Sequence, residues 1–439
     1  MINETVILLS PYEDCSNHRL AKYVIYLKSA KSISFDICFY QPLQKIFTRV
    51  VLYDYLKQMV EVGIKEVNKE IIEIVRKEHP KYVLWLAFGE YYEIQESTFD
   101  VIRQEGVKIV GWFFDDGVRF NYYSKWWIPH LDYFITDDLE AVPKYKRLGS
   151  YAVHAIATGN SVERDWSSVE EKYDVSFVGS LRADREQYLE ILKNKGILVN
   201  LFGMAVERFV SYEEMIDIFG TSKINLNFSK TYQYMKFGIK ARIFEVCLAG
   251  GFLLTEYVPG IERFFEINKE IVCFRNPEEM VDKITYYLSH DEERRAIAQD
   301  GWRKAINEYT AFHMISRVFK DIEEHSANGG NDRSRELIMP MPIRRRASSF
   351  YRMWGEAFLV ENYKGLWKDS LSLSLVYNSS SLRARFSNAV GSLPLSIRFV
   401  LIQFYITVIK LHKVLIIWFS SIPLVRKTYH GLRKKLLNI

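Results

Sequence analysis

Short, wholly apolar segments alternate with amphipathic segments along most of this sequence. Four apolar segments occur in the first third, at residues 5–10, 82–88, 108–114 and 132–136. A strand that is apolar on both faces is buried on both, as in a parallel sheet that helices cover. Residues 48–80 have helical periodicity and end at a proline, which predicts a helical connection. The first third therefore predicts an α/β domain with a parallel sheet.

The pattern restarts after a polar connection at residues 161–171. More apolar segments of strand length follow, at residues 173–180, 198–203, 223–229, 252–255 and 271–274. Asn276, Pro277 and Glu279 suit the N-cap, the first position and the third position of a helix. We predict two α/β domains in tandem and a C-terminal extension: residues 1–165, residues 166–325, a linker at 326–349 and a basic helical tail at 350–439.

The cysteines and the first residues indicate where such a protein works. Cys15, Cys38, Cys247 and Cys273 lie far apart, and neither a CxxC pair nor another metal-ligand spacing occurs. This favours a reducing compartment and predicts no metal site. The first ten residues predict a strand, because they lack the basic region and the long apolar region of a signal peptide. We therefore expect a cytoplasmic protein.

Charge is distributed unevenly along the chain. Ten of the 59 Lys and Arg residues lie between Ser370 and Ile439, a segment without Asp or Glu. The other 369 residues carry 49 basic and 54 acidic side chains, a profile that does not indicate nucleic-acid binding. Wound as a helix, the tail places Arg398, Lys410 and Lys413 on one arc of an apolar surface. That predicts peripheral attachment to the anionic inner face of a membrane, and the alternative is packing on the protein body or a partner chain.

The segment GIKARIFEVCLAGGFLLT, residues 238–255, carries charges where a core helix would be apolar. Lys240 and Arg242 begin the predicted helix, and Glu245 follows one turn later. Beyond the carboxyl ends of parallel strands, helix N-termini bind phosphate, and a nearby carboxylate suits ribose hydroxyls. We predict that Lys240 and Arg242 bind a nucleotide diphosphate and that Glu245 binds its ribose. The alternative is a structural Arg–Glu ion pair.

The segment FVGSLRADR supplies a second group of candidate donor-binding residues: Gly179, Ser180, Arg182 and Arg185. A strand is expected to end at the glycine, where the backbone can approach a ligand closely. The arginines can pair with phosphate oxygens through their planar forks. Gly250 and Gly251 are expected to end the helix of the first group and complete the set of candidates.

Residues 112–138 and 240–304 resemble the CgeB-like (spore maturation) branch of the GT-B glycosyltransferases, and the resemblance extends over roughly residues 5–324. Its most specific part is the block RIFEVCLAGGFLLT. The resemblance implies two Rossmann-like domains that face each other across a cleft. The second domain would hold the donor, a UDP-, GDP- or dTDP-sugar, and no cofactor would be required. Many retaining relatives carry Glu where this chain has Phe237, so the stereochemical outcome is open.

Inverting sugar transfer needs a base near the donor carbon, and acids are concentrated where the strands of the first domain end. The candidates for this base are Asp115, Asp116 and His18. Similar positions are held by other acids, namely Glu13, Asp14, Glu90, Asp137 and Asp138. The alternative for each is solvation at a strand end or capping of a helix. The aromatic residues of segment 119–127 predict either an acceptor wall or part of the core.

These features predict a glycosyltransferase that moves a sugar from a nucleotide diphosphate to an acceptor hydroxyl. The acceptor would be a glycan, a glycolipid or a protein, and the expected role is polysaccharide biosynthesis at the cell surface. Two alternatives stay open. One is a nucleotide-sugar epimerase of the GT-B type, and the other is a partner subunit without catalytic activity.

Overall fold

The computed structural model of the chain describes residues 2–10, 35–87, 94–121, 123–162, 170–181, 184–206, 210–231 and 236–329. In the first half of these residues, parallel strands form one sheet: β1 (Ile2–Leu9), β2 (Phe47–Tyr53), β3 (Tyr82–Ala87), β4 (Lys108–Phe113), β5 (Tyr133–Thr136) and β6 (Tyr151–His154). Their order is β2-β1-β3-β4-β5-β6. Because β3 and β4 are buried along nearly their whole length, helices cover both faces of this sheet.

Helices connect these strands: α1 (Gln41–Ile46), α2 (Tyr55–Glu61), α3 (Ile64–Glu78), α4 (Glu96–Gln104), α5 (Asp116–Arg119) and α6 (Val142–Arg147). A π-helix at Asp36–Tyr40 precedes α1, and a 3₁₀ helix at Ser124–Trp127 follows α5. The Asp54 side chain caps α2 by accepting a hydrogen bond from the N–H of Lys57 at 2.9 Å.

The second half contains further strands: β7 (Tyr173–Val178), β8 (Asn200–Phe202), β9 (Ser222–Asn227), β10 (Lys230–Thr231), β11 (Lys236–Phe237), β12 (Leu253–Glu256) and β13 (Val272–Phe274). A parallel sheet has the order β13-β12-β9-β7-β8, and β10 pairs antiparallel with β11. The helices here are α7 (Arg185–Asn194), α8 (Tyr212–Thr221), α9 (Ala241–Leu248), α10 (Pro277–Ser289), α11 (Asp291–Glu308) and α12 (Ala311–Ala327). Short 3₁₀ helices occur at Gly203–Val206 and Ile261–Arg263.

The two parallel α/β domains predicted from the sequence are confirmed. The start of the predicted helical connection was wrong, because residues 48–53 belong to β2. Val50 is a β-branched residue of the kind that strands favour, and it pairs with Val6 of β1. Helix α10 begins where it was predicted, since the Asn276 side chain accepts a hydrogen bond from the N–H of Glu279 at 2.8 Å.

Helix α12 packs on the first sheet although it follows the second sheet in sequence. Its apolar face is buried in that core through Ile315, Val318, Phe319 and Ile322. The ring of Phe319 lies 4.8 Å from the ring of Phe47. At the start of α12, where the chain passes from the second sheet back to the first, the N–H of Ala311 donates to the carbonyl of Gly159 at 2.9 Å. The predicted second domain, residues 166–325, thus contains a helix that joins the core of the first. Below, the first domain means residues 2–154 with α12, and the second means residues 173–308.

Several expectations concern membranes, metals and cysteines. No helix in the described part of the chain is both long and apolar enough to cross a bilayer. Within the same residues, no group of three or more His, Cys, Asp or Glu is placed to hold a metal ion. Cys38, Cys247 and Cys273 are buried thiols. Residues 330–439, with most of the predicted linker and the whole predicted tail, lie outside the described residues.

Candidate functional site

A cleft of about 320 Å³ is lined by the ends of both sheets. The first domain contributes the residues that end or follow β4, β5 and β6, among them Asp115, Asp137, Asp138 and His154. The second domain contributes Lys240, which precedes α9, and Val258, which follows β12. Because the carboxyl ends of parallel strands meet at one edge of a sheet, residues far apart in sequence come together here.

Asp115 lines the cleft from an uncommon backbone conformation. Its φ angle is 56°, in the left-handed region that residues other than glycine seldom adopt. Its side chain is 33% exposed and lies 3.8 Å from the guanidinium of Arg119, one turn later on α5. The N–H of Asp115 donates to Asp137 Oδ2 at 2.7 Å, and the N–H of Asp116 donates to Asp137 Oδ1 at 3.1 Å. Asp137 therefore holds the turn that places Asp115.

Asp116 is fully buried and is not among the residues that line the cleft. Its carboxylate accepts hydrogen bonds from the hydroxyl of Ser124 and, at 2.8 Å, from the hydroxyl of Tyr145. Burial raises the pKa of Asp116 to about 7, and the bonds from Ser124 and Tyr145 oppose that rise. These contacts give Asp116 a structural role. This corrects its inclusion among the candidate bases and leaves Asp115 as the member of the pair that faces the cleft.

Asp137 and His154 have opposite pKa shifts. Burial and the charge of Asp115 raise the pKa of Asp137 to about 6, while its backbone hydrogen bonds and Lys240 oppose the rise. Burial lowers the pKa of His154 to about 4, so the imidazole is neutral near pH 7. The ring of His154 lies 5.8 Å from the ring of Phe264 in the second domain. The cleft thus contains a neutral imidazole beside several carboxyl groups.

Lys240 is a cation that the second domain adds to this acidic cleft. It is the N-cap residue of α9 and has an extended backbone. Burial lowers the pKa of Lys240, while the charges of Asp115, Asp137 and Asp138 act in the opposite direction. Three carboxyl groups of the first domain therefore act on one ammonium group of the second. A phosphate at the start of α9 would be bound by this ammonium and by the N–H groups of the first turn.

Arg242 and Glu245 form an ion pair on another face of α9. Arg242 Nη1 lies 2.8 Å from Glu245 Oε2, and the side chains are 24% and 15% exposed. Arg242 also contacts α8, where its guanidinium lies 5.0 Å from the ring of Phe219. Burial raises the pKa of Glu245, and Arg242 opposes that rise. Neither residue lines the cleft described above, so the ion pair exists and the predicted contacts with phosphate and ribose stay predictions.

Arg185 begins α7, and its guanidinium binds backbone carbonyls. Nη1 donates to the carbonyl of Ser180 at 2.9 Å, and Nη2 donates to the carbonyl of Phe228 at 3.1 Å. Gly179 follows β7, and its N–H donates to the carbonyl of Phe202 at 3.1 Å. Arg185 thus joins the loops after β7 and β9. The predicted donor contacts of Gly179, Ser180 and Arg185 stay predictions.

Gly250 and Gly251 end α9, as the sequence predicted. Gly250 has a φ angle of 69°, and a Cβ atom on Gly251 would lie 2.5 Å from the carbonyl oxygen of Phe219. Both glycines are buried and neither lines the cleft, so they shape the end of α9, and their predicted part in donor binding stays a prediction.

Other candidates fall outside the described residues or inside the core. His18 and Arg182 lie outside the residues that the structure describes, as do Glu13, Asp14 and Glu90. Of the predicted aromatic wall, Tyr123 and Trp127 are buried, and the ring of Trp127 lies 4.7 Å from the ring of Trp85. For these aromatic residues the alternative, packing in the core, is confirmed.

His154 was not predicted from the sequence, and Asp137 was noted only as one acid among several. His154 ends β6, a short and partly exposed strand that no continuous apolar segment marks. The available signal was position, because residues that follow successive parallel strands reach the same edge of a sheet.

Residues 168–320 match a protein-family model described as glycosyl transferase-like. The matched residues include the whole of α9 and the residues around it that line the cleft. The match includes the whole of the second domain, residues 173–308. No curated protein matches the chain.

Solved structures with a similar fold share little sequence with this chain. HepE from Anabaena, in complex with UDP and glucose, is 9% identical with a TM-score of 0.46, over 73% of this chain and 100% of that one. Sucrose-phosphate synthase from Thermosynechococcus elongatus gives the same identity, TM-score and coverage. A glycosyltransferase from Rickettsia africae is 12% identical with a TM-score of 0.44, over 74% of this chain and 99% of that one.

A parallel α/β domain precedes the domain that the family model matches and lines the other side of the cleft. Two such domains are the arrangement of GT-B enzymes that the sequence resemblance implied. The family match and this architecture support glycosyl transfer as the enzymatic activity.

Proposed function

We propose that this protein is a GT-B glycosyltransferase of the CgeB-like branch that moves a sugar from a nucleotide diphosphate to an acceptor hydroxyl. One observation carries the proposal: Asp115 of the first domain and Lys240 of the second domain line the same cleft. A carboxylate can accept the proton of a hydroxyl, and a cation can stabilise a departing diphosphate. The cleft therefore brings together the two charges that this reaction uses.

The donor is held by α9. Lys240 and the first-turn N–H groups bind the diphosphate, and Glu245 accepts hydrogen bonds from the ribose about 7.5 Å further along the helix axis. Burial and the charge of Glu245 raise the pKa of the Cys38 thiol, so this carboxylate acts on the first domain as well. UDP-, GDP- and dTDP-sugars are the candidate donors, and no cofactor takes part.

The proposed chemistry is a direct displacement at the donor sugar carbon. Asp115 takes the proton of the acceptor hydroxyl while the acceptor oxygen bonds to that carbon. The bond from the carbon to the diphosphate breaks, and its electron pair leaves with the diphosphate, where Lys240 stabilises the growing charge. Phe237 occupies the position at which many retaining relatives carry Glu, which agrees with an inverting displacement.

Nucleotide binding and nucleotide release test this proposal. Purified protein is incubated with UDP, GDP or dTDP, and we expect one of them to raise the melting temperature. The matching nucleotide sugar should release its nucleotide only when a membrane extract supplies an acceptor, and Asp115→Asn should bind the nucleotide but lose the release. Isomerised sugar without release would indicate an epimerase instead. No stabilisation by any of the three nucleotides would contradict the proposal and favour a partner subunit.

We further propose that the acceptor belongs to a cell-surface glycan or glycolipid and that the tail at residues 350–439 attaches the enzyme to the inner face of the membrane. The support is composition, since ten basic residues and no acidic residue follow Ser370. The full chain should sediment with phosphatidylserine-containing vesicles and not with neutral ones. A chain that ends at Gly329 should stay in solution and still bind nucleotide. Sedimentation of the shortened chain would contradict the tail as the anchor.

A further inference from the structure

Asp137 makes a contact that the displacement itself does not require. Its two carboxylate oxygens accept hydrogen bonds from the N–H groups of two consecutive residues, at 2.7 Å from Asp115 and 3.1 Å from Asp116. Bonds from one carboxylate to two successive N–H groups fix the orientation of both peptides. The residue whose conformation is fixed is Asp115, which stands in the left-handed region with a φ angle of 56°.

We propose that Asp137 is a positioning residue for Asp115: its two hydrogen bonds hold the base in the cleft. This inference rests on the proposed function, because it takes Asp115 as the base. It adds a residue that shapes the reaction without contact with the reacting atoms.

The charges around Asp115 come from several elements. Arg119 on α5 lies 3.8 Å from its carboxylate. Lys240 at the start of α9 acts on it from the other side of the cleft, and Asp137 after β5 acts on it from within the same domain. Asp138 acts on the same Lys240, and His154 at the end of β6 is neutral above about pH 4.

The turn has a second anchor that does not depend on Asp137. Asp116 is buried and accepts hydrogen bonds from the hydroxyls of Ser124 and Tyr145. The same turn is closed by the N–H of Arg119, which donates to the carbonyl of Asp115 at 3.0 Å. A variant that weakens the contact with Asp137 should therefore keep the fold, which makes the inference testable in the full chain.

The decisive variant is Asp137→Asn, which keeps the size of the side chain but removes its charge and one acceptor oxygen. Nucleotide release is measured with the donor and membrane extract of the assay above, and nucleotide affinity is measured separately. We expect release to be about tenfold slower and the affinity to change by less than about twofold, because the base is misplaced while the donor site is intact.

Asp132→Asn is the matched control. Asp132 precedes β5, and its Oδ2 accepts the N–H of Ile109 on β4 at 2.9 Å, so it makes the same kind of contact at the opposite edge of the sheet. This variant should leave the rate of nucleotide release and the nucleotide affinity unchanged.

The outcomes separate the inference from the proposed function. If Asp137→Asn releases nucleotide at the wild-type rate, the inference is overturned. It is also overturned if the nucleotide affinity falls as far as the rate, because a merely structural contact would disturb the whole cleft. If Asp115→Asn is fully active, Asp115 is not the base and the proposed chemistry falls with the inference. A wild-type rate in Asp137→Asn beside an inactive Asp115→Asn overturns the inference alone.

Discussion

Arg242 Nη1 lies 2.8 Å from Glu245 Oε2, one turn away on the same face of α9. Both side chains are partly buried, and Arg242 also contacts Met215 and Phe219 of α8. The bond engages one of the two carboxylate oxygens of Glu245, so the ion pair and a contact with ribose are compatible. The pair is therefore either a structural link between α8 and α9 or a preformed part of the donor site, and variants can distinguish these roles.

We expect Arg242→Ala and Glu245→Ala each to abolish the rise in melting temperature that the nucleotide causes. Arg242→Ala should also lower the free energy of unfolding by about 1–2 kcal/mol, because a partly buried carboxylate loses its cation. The double variant should regain much of that stability without regaining nucleotide binding. Thermal shift and urea denaturation measure the two effects.

The control for this pair lies on α11, where Arg303 and Asp300 form an exposed ion pair with the same spacing at 3.1 Å. Arg303→Ala should change neither stability nor binding appreciably. A nucleotide response that survives in both Arg242→Ala and Glu245→Ala would assign the pair to folding alone.

Helix α9 shows which structural features the sequence predicts and which it does not. Its charged start, its apolar face and its terminal glycines were predictable because each is a local feature of the sequence. In the structure the apolar face lies on α9, Lys240 is its N-cap residue, and the two glycines follow its C-cap. The contact of Arg242 with Phe219 could not be predicted from the sequence, because it depends on how α8 packs against α9. Periodicity predicts which residues share a face of a helix, but not which element that face meets.

Asp115 and Asp116 show a limit of a different kind. They are adjacent and chemically identical, yet one lines the cleft and the other is buried. The difference follows from the left-handed conformation of Asp115 and from the hydrogen bonds of Asp137, which come from another strand. A sequence pattern contains neither fact, so the sequence predicts the pair as candidates and does not distinguish its members.

The two glycines that end α9 should act on stability and not on binding. A Cβ atom on Gly251 would lie 2.5 Å from the Phe219 carbonyl oxygen and 2.7 Å from Asn225 Nδ2, so Gly251→Ala should lower the free energy of unfolding by about 2–4 kcal/mol. Gly250→Ala should lower the free energy of unfolding by about 1–2 kcal/mol, because the φ angle of Gly250 is positive. Urea denaturation measures both, and the rise in melting temperature with nucleotide should persist.

Gly106→Ala isolates the backbone effect, since Gly106 has a φ angle of 82° and no atom within 4 Å of an added Cβ. Gly106→Ala should lower the free energy of unfolding by the same amount as Gly250→Ala. If Gly251→Ala were no less stable than Gly106→Ala, the close packing at the end of α9 would not constrain the fold.

The buried carboxyl of Asp116 should make stability depend on pH. Its pKa is raised to about 7 by burial, whereas an unfolded Asp loses its proton near about pH 3.9. Between these values the native state binds more protons, so the stability that Asp116 contributes is fully present below about pH 4 and is lost as the pH rises through 7. Asp116→Asn does not titrate and should escape this loss.

Urea denaturation of both proteins from pH 4.5 to 8 measures this difference. The free energy of unfolding of the variant should gain about 2–4 kcal/mol relative to wild type across the range. His154 titrates in both proteins and cancels in the comparison. If the free energies of unfolding of the two proteins change in parallel with pH, Asp116 is already charged in the native state at low pH.

Lys240→Met should weaken the binding of a nucleoside diphosphate without weakening that of the uncharged nucleoside. The variant keeps the apolar stem of the side chain and removes the ammonium group that lines the cleft beside Asp115. Loss of a charge-assisted contact with the diphosphate should lower its affinity about tenfold or more and reduce the dependence of binding on salt. Lys223→Met is the control, because Lys223 lies on β9 of the same domain and pairs with Asp174 at 2.6 Å. Calorimetric titration at two salt concentrations measures the effect, and equal weakening of nucleoside and diphosphate would mean that Lys240 shapes the cleft without contacting the phosphates.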